Sequence, residues 1–354
     1  MKIFQNKKHF PVLFGIAMFI AIVVIMFIAN SKALVKLELN PPIDGVAKLS
    51  TVGGRLVVVS GTNEMQVRDW NDITKNPLKI LNQADKVALM ADSRLFRIPS
   101  DKPDTVEIEC LKKDCNPLKI PLGYGMRCNM LSVNRTGQTA GLVNVNISGK
   151  NSGNSYSKFS IAIIASNQLS EITTIENSDG SLELFDISVS DDSRYIAIAG
   201  QKNNLGWLGV IDINKKQLLW EQSSDSSSKF VCAVFSPKSQ MIYVGGAGRD
   251  VLVFDVATGK LANKWQMAET KVANKKQFTP TIAVSNDGRL VATATEPAGV
   301  IYLWDTQSSK LVKTLPVGHI LITGIAFSPD GRYIAAGAVL MKNKIKICNV
   351  PRVR

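Results

Sequence analysis

The sequence predicts an all-β protein: a seven-bladed β-propeller closed by its own N-terminal strand, with one transmembrane helix before it. Three observations support this prediction. A strand–turn–strand unit repeats along the chain, the last copy lacks an outer strand, and an uncharged apolar stretch precedes the first copy. The corresponding segments are a short basic tail at 1–9, the transmembrane helix at 10–29, a linker at 30–33 and the propeller at 34–354.

The repeat is clearest in four copies, each a strand, a polar turn and a second strand rich in β-branched and small residues. They are VSDDSRYIAIAG from Val189, FSPKSQMIYVGG from Phe235, VSNDGRLVATAT from Val284 and FSPDGRYIAAGA from Phe327. Successive serines in these turns are 46, 49 and 43 residues apart, close to the period of four-stranded propeller blades. More divergent copies begin at Thr51, Met90 and Val133, which gives seven.

A second feature recurs in each copy, the end of a third apolar strand, and its spacing follows that of the turn serines. It falls at Asp212, Asp255, Asp305 and Asn349 in the last four copies. The seventh copy ends soon afterwards and has only three strands, whereas the segment 34–39 resembles the outer strand of an earlier copy. We therefore expect the N-terminal strand to complete the last blade, because closing the ring covers sheet edges that otherwise invite aggregation.

The copies resemble WD repeats. Trp304-Asp305 matches the characteristic dipeptide, Gly318-His319 the preceding Gly-His, and the Ser-Pro-Asp-Gly-Arg from Ser328 the inner turn. The resemblance implies a propeller that binds protein partners, and it implies a buried Asp-His-Ser/Thr-Trp hydrogen-bond network. Most blades depart from the pattern, so that network is incomplete. Two turns, at 255–260 and 212–221, are also similar to those of quinoprotein-type propellers.

The apolar stretch from Phe10 to Ala29 contains no charged residue and, at about 1.5 Å per residue, reaches about 30 Å, enough to cross a bilayer. We favour an uncleaved signal anchor; the alternative is a signal peptide cleaved before Leu34. Lys2, Lys7 and Lys8 precede the stretch and Lys32, Lys36 and Lys48 follow it. The positive-inside rule gives a weak preference for a cytoplasmic N-terminus, which puts the propeller in a periplasmic or lumenal compartment.

Composition argues against several functions. The net charge is +13, yet no basic helix or interleaved aromatic and basic motif typical of nucleic-acid readers occurs. With two histidines and no recognisable nucleophile, phosphate-binding or metal-binding motif, the sequence predicts no catalytic residue, no metal site and no cofactor. Cys110 and Cys115 flank a predicted hairpin turn, where they form either a disulfide or two unpaired thiols. Cys128, Cys232 and Cys348 are predicted to be core residues.

Blade topology gives the predicted propeller two faces. One face carries the turns between the first and second strands and between the third and fourth strands of each blade. We call it the near face, because the N-terminal strand starts there. The opposite side is the distal face. Seven basic residues are predicted on the near face, where they either bind anionic lipid or are ordinary solvated turn residues. They are Arg55, Arg94, Arg194, Arg289, Arg332, Lys215 and Lys216. Two long loops are predicted on the distal face, at 148–157 and 266–279, and the first of them serves equally well as a spacer. The residues in these loops predicted to bind a protein partner are Lys150, Asn151, Lys271, Lys275 and Lys276.

The leading functional hypothesis is a membrane-anchored, non-catalytic protein-interaction scaffold. The alternative is an extracytoplasmic propeller of the quinoprotein-like kind that binds a cofactor or another small ligand. The sequence names no partner for either.

Overall fold

The structure is a computed structural model. It describes residues 34–38, 48–52, 55–59, 65–73, 77–81, 84–89, 94–99, 101–110, 117–123, 126–146, 158–225, 228–246, 248–267, 278–296, 299–318, 321–338 and 344–352. Among these residues, no helix has the length and hydropathy that crossing a bilayer requires. The predicted tail at 1–9, transmembrane helix at 10–29 and linker at 30–33 lie outside the described residues.

The first strands in chain order are β1 Leu34–Glu38, β2 Lys48–Val52, β3 Arg55–Val59, β4 Met65–Asp69, β5 Lys79–Leu81, β6 Ala84–Leu89, β7 Arg94–Pro99, β8 Thr105–Cys110, β9 Leu118–Pro121, β10 Met126–Val133, β11 Thr139–Asn146, β12 Lys158–Ala165 and β13 Gln168–Glu176. They continue with β14 Leu182–Val189, β15 Tyr195–Lys202, β16 Leu205–Asp212, β17 Gln217–Ser223, β18 Phe230–Phe235, β19 Met241–Gly246, β20 Asp250–Asp255 and β21 Leu261–Gln266. The last are β22 Phe278–Val284, β23 Leu290–Glu296, β24 Val300–Asp305, β25 Lys310–Pro316, β26 Ile322–Phe327, β27 Tyr333–Ala338 and β28 Lys344–Asn349.

These strands form seven four-stranded antiparallel sheets, which confirms the predicted seven-bladed propeller. Blades 1 to 6 take consecutive strands from β2 onward, and blade 7 has the order β26, β27, β28, β1. Within each blade we name the strands a to d in that order. The a strands contact one another along the series β6, β10, β14, β18, β22, β26 and β2, so they line the central channel and the d strands form the rim.

The N-terminal strand completes blade 7, as predicted. β1 pairs antiparallel with β28, with Leu34 opposite Cys348 and Glu38 opposite Lys344. The strand ends one residue earlier than the predicted segment 34–39. A second contact closes the ring between blades 7 and 1, because the Thr51 hydroxyl donates to the Phe327 carbonyl over 2.6 Å.

The blade order explains the residue pattern of the strands. Strands b and c are covered by neighbouring blades on both sides and supply most of the buried apolar residues, as in β16, where seven consecutive residues are buried. The outermost strands consist mainly of partly buried and exposed positions, as in β17. Three cysteines of the apolar strands, Cys128, Cys232 and Cys348, are buried free thiols, which confirms their prediction as core residues. Cys110 ends β8, whereas Cys115 lies outside the described residues, so the disulfide prediction stays untested.

An aromatic stack fills the space between blades 5 and 6. The Trp265 ring lies 5.6 Å from Trp304 and 5.4 Å from Tyr243, measured between ring centroids. The Trp304 indole N–H donates to the Thr293 hydroxyl over 3.1 Å in the buried interior. This bond is the Ser/Thr–Trp part of the network that the WD resemblance implies, while His319 lies outside the described residues.

Blade 1 replaces that tryptophan with a buried charge. Arg68 precedes Asp69 as Trp304 precedes Asp305, and only 1% of its surface is exposed. Its Nε and Nη2 donate to the Gln66 side-chain oxygen over 2.9 and 2.6 Å, and Nη1 donates to the Ile73 carbonyl over 3.1 Å. Burial lowers the pKa of Arg68 from its ordinary value. The sequence did not predict this buried arginine.

Candidate functional site

The a–b turns of blades 3 to 7 form a collar around one mouth of the channel, and in blades 4, 6 and 7 a repeated serine and aspartate hold the turn in shape. In blade 7 the Ser328 hydroxyl donates to Asp330 over 2.6 Å and accepts the Tyr333 amide over 2.9 Å. Ser190 and Ser285 make the same pair of bonds in blades 4 and 6. The Ser328 hydroxyl and the Arg332 amide hold the pKa of Asp330 below its ordinary value. These turn carboxylates therefore have structural partners at neutral pH.

The collar lies on the same side as the c–d turns, as the predicted topology requires. The amides of Ile213, Thr306 and Val350, each just after a c strand, donate to carbonyls at the ends of the a–b turns in the same blades. The distances are 2.8, 2.9 and 2.9 Å. Both sets of turns therefore form the near face.

Arg135 crosses the mouth of the channel at this collar. It belongs to the a–b turn of blade 3, and its Nη2 contacts the Asp191 carboxylate of blade 4 at 2.5 Å. Its Nη1 donates to the Ser285 carbonyl of blade 6 over 3.1 Å. Blades 3 and 6 lie on opposite sides of a seven-membered ring, so the guanidinium must span the opening. One side chain thus links three blades and narrows the channel at its near mouth.

Below Arg135 the channel encloses a cavity of about 380 Å³. Its wall combines apolar side chains with hydroxyls, two carboxylates and one guanidinium. Its hydroxyl and charged residues are Ser50, Ser132, Arg135, Asp186, Ser188, Asp191, Thr281 and Thr323. Asp186 accepts the Ala233 amide over 3.1 Å, which ties blade 4 to blade 5. Burial raises the pKa of the neighbouring Cys232 thiol, so Cys232 is protonated at neutral pH and is a poor nucleophile. The cavity suits binding of a small polar group better than covalent chemistry.

A second cavity, of about 310 Å³, lies between blades 2 and 3 toward the distal face. Asn144 lines it and is 2% exposed, and its side-chain oxygen has no hydrogen-bond partner. Glu171 accepts the Ser160 hydroxyl over 3.0 Å at the same cavity. The cavity lies next to the end of β11 and the start of β12, which flank the first long distal loop.

The predicted near-face residues lie in turns or, for Arg55 and Arg94, at the first residue of a b strand, and several arginines already have carboxylate partners. Arg194 lies 3.7 Å from Asp212 and Arg289 3.3 Å from Asp305, each joining an a–b turn to the end of strand c. Arg332 pairs with Asp330 in its own turn at 2.8 Å. Arg55 and Arg94 are half-buried, whereas Lys215 and Lys216 are exposed. Binding of anionic lipid by this set stays a prediction.

The predicted partner-binding residues Lys150, Asn151, Lys271, Lys275 and Lys276 all lie outside the described residues. Their connections start and end on the distal face: β11 ends at Asn146 and β12 begins at Lys158, while β21 ends at Gln266 and β22 begins at Phe278. The second loop is therefore shorter than the predicted 266–279, because its end residues belong to strands.

Removing Arg135 is expected to destabilise the ring measurably. An Arg135→Ala substitution leaves the Asp191 carboxylate, 15% exposed, without its cation, and we expect a loss of about 2 kcal/mol in the free energy of unfolding. The matched control is Arg332→Ala, whose side chain is 64% exposed and which should change stability by less than about 0.5 kcal/mol. Urea unfolding followed by tryptophan fluorescence measures both. Equal effects contradict a special role for the bridge across the channel.

Comparison with known proteins supports a β-propeller of the WD-repeat type. The family described as "WD domain, G-beta repeat" matches residues 309–349, which span β25 to β28. An uncharacterized WD repeat-containing protein of Synechocystis sp. is 24% identical over 177 residues, covering 50% of this chain and 47% of that protein. The chain thus spans about half the length of this relative.

Two solved structures share the fold. The β-propeller domain of Cps50 (Swd1) from Myceliophteria thermophila superimposes with a TM-score of 0.64 at 13% identity, covering 87% of this chain and 97% of that chain. Hydrazine synthase from Kuenenia stuttgartiensis superimposes with a TM-score of 0.65 at 14% identity, covering 87% and 96%. At these identities the likeness concerns the fold alone. Because one of the two proteins is an enzyme, the fold by itself does not decide whether the chain is catalytic.

Proposed function

We propose that the protein is a non-catalytic interaction scaffold, tethered to a membrane by residues 10–29, whose propeller lies outside the cytoplasm. Its near face is turned toward the bilayer and its distal face toward a protein partner. The WD-repeat propeller fold supports the scaffold role, because a rigid ring that displays loops is suited to binding.

The pairing of β1 with β28 is the observation that carries this proposal. Leu34 lies opposite Cys348, one residue before β28 ends, and β28 ends on the near face. Only residues 30–33 separate Leu34 from the apolar stretch that ends at Ala29, a distance of at most about 17 Å in extended chain. A tether at 10–29 thus holds the near face close to the bilayer.

The channel supports the same assignment of faces. Arg135 spans the near mouth, so a partner approaching from the membrane side meets a narrowed opening. The strands that flank the connections at 147–157 and 267–277 end and begin on the other side. The non-catalytic role rests on the polar groups of the channel, where Asp186 already accepts an amide and Cys232 is a buried protonated thiol.

Replacing the three distal lysines is the test of the scaffold. A chain carrying Lys271→Ser, Lys275→Ser and Lys276→Ser together should lose on the order of tenfold in partner cross-linking, because rim charges speed association with an oppositely charged surface. The measurement is quantitative cross-linking in intact cells with a membrane-impermeant reagent, which also reports the side on which the propeller lies.

The matched control for the lysine test is a chain with Lys215→Ser and Lys216→Ser, which removes two exposed lysines from the near face. It should cross-link to the same partners with unchanged yield. Equal yields from all three chains contradict partner binding by the distal loop, and absence of any cross-link in intact cells contradicts the proposed sidedness.

A small-ligand function is the second candidate, favoured by the channel cavity and its Asp186 carboxylate. The scaffold proposal predicts that the purified protein carries no bound small molecule in native mass spectrometry. A bound mass that disappears in Asp186→Asn, with the fold intact by circular dichroism, supports the ligand-binding alternative instead.

A further inference from the structure

Exposed leucines recur at or just before the start of the outer d strands. Leu78 of blade 1 is 52% exposed, Leu218 of blade 4 38%, Leu261 of blade 5 53% and Leu311 of blade 6 43%. We call these four residues the leucine arc. Single exposed leucines are ordinary on protein surfaces, but repetition of one position from blade to blade places them in a row along the rim.

The strand register places the arc on the near-face edge. Leu218, Leu261 and Leu311 lie opposite Ile211, Phe254 and Trp304. Each of those partners is the last residue before the aspartate that ends its c strand. In blade 1, the Leu78 amide donates to the Val67 carbonyl over 2.8 Å, next to the end of β4.

The first residue of β1 occupies the same register. Leu34 lies opposite Cys348, the residue before Asn349 that ends β28. The backbone position equivalent to the leucine arc in blade 7 is therefore the point where the chain arrives from the apolar stretch at 10–29. Blades 4, 5, 6, 7 and 1 follow one another around the ring, so these positions form one arc along the rim.

Basic residues lie within three positions before three members of the arc. The exposed lysines Lys215 and Lys216 precede Leu218, Lys260 precedes Leu261, and Lys310 precedes Leu311. Between the aspartates that end these c strands and the leucines, the three turns contain no acidic residue. Apolar side chains beside lysines are the composition of surfaces that lie in the headgroup region of a bilayer.

We propose that the leucine arc is a lipid-contacting edge, whose leucines enter the bilayer interface while the adjoining lysines meet anionic headgroups. This inference rests on the proposed membrane tether and deepens it. The bilayer is chosen as occupant because a tether separated from Leu34 by four residues brings lipid to this edge, and because the lysines complement anionic lipid.

Photo-crosslinking in the full-length chain tests the leucine arc. A photoreactive amino acid replaces Leu218 in one chain and Leu261 in another, and the matched controls carry it at Ser223 and Gln266. Each control residue is exposed and belongs to the same strand, but it lies about 17 Å away, toward the distal edge. The chains are reconstituted into vesicles of phosphatidylcholine with one-fifth phosphatidylserine, irradiated and analysed for lipid adducts by mass spectrometry.

The expected result is at least a tenfold greater yield of lipid adducts at Leu218 and Leu261 than at Ser223 and Gln266. Equal yields at both ends of a strand, or no adduct at any of the four positions while the chain remains in the vesicles, overturn the lipid-contacting edge and leave the tether intact. A chain that does not partition with the vesicles at all overturns the membrane tether itself, and with it this inference.

Discussion

A chain that begins at Leu39 is expected to unfold about 4 kcal/mol more easily than a chain that begins at Leu34. The shorter chain lacks β1, whose five residues pair with β28, and a net backbone hydrogen bond contributes about 1 kcal/mol. Total stabilities are commonly about 5–15 kcal/mol, so the loss is a large share of the whole. Urea denaturation, followed by circular dichroism, gives both free energies.

The Leu34 chain serves as the control, because it removes residues 1–33 and retains the strand. It should unfold in one cooperative transition. The Leu39 chain should also form concentration-dependent aggregates, since it exposes the unpaired edge of β28. Coincident unfolding midpoints for the two chains are incompatible with a ring that depends on its N-terminal strand.

Replacing Trp304 by alanine is expected to cost about 4 kcal/mol of unfolding free energy, the largest effect of a single substitution considered for this chain. The side chain is 4% exposed and stacks on Trp265 and Tyr302. Its removal leaves a void between blades 5 and 6 and deprives the Thr293 hydroxyl of a donor. Thermal unfolding and urea unfolding both measure the loss.

Two milder variants separate packing from hydrogen bonding at this position. Trp304→Phe retains an aromatic ring but loses the indole N–H, and Thr293→Val keeps the volume but removes the acceptor. Each should destabilise the protein by about 1.5 kcal/mol. If Trp304→Phe is as damaging as Trp304→Ala, the hydrogen bond rather than the ring dominates, contrary to our expectation.

The blades and their closure followed from the sequence because they depend on local patterns that repeat. The turn begun by Ser328 specifies two adjacent strands, and the same pattern at Ser190 and Ser285 fixes the period of the blades. The missing outer strand after Asn349 then required a partner, which the segment beginning at Leu34 supplied. Patterns of this kind survive sequence divergence, since each copy must bury the same faces.

The sequence did not predict that Arg135 narrows the channel. Its contact with Ser285 joins positions 150 residues apart, and it depends on which turns face one another across the ring. The burial of Arg68 was not predicted either, because nothing in the sequence marks its hydrogen-bond acceptor Gln66 as a buried residue. Contacts across the ring depend on how the blades are arranged in space, and a local sequence pattern does not contain that information.

The pairing of β1 with β28 also has a consequence for the order of events during synthesis. The two strands are separated by more than 300 residues, so at about 5–20 residues per second the first strand emerges roughly 15–60 s before its partner. During that interval its backbone groups have no sheet to join. The first strand made is thus among the last to be fixed in place, and a ribosome-bound chain arrested before Lys344 should leave β1 open to proteases.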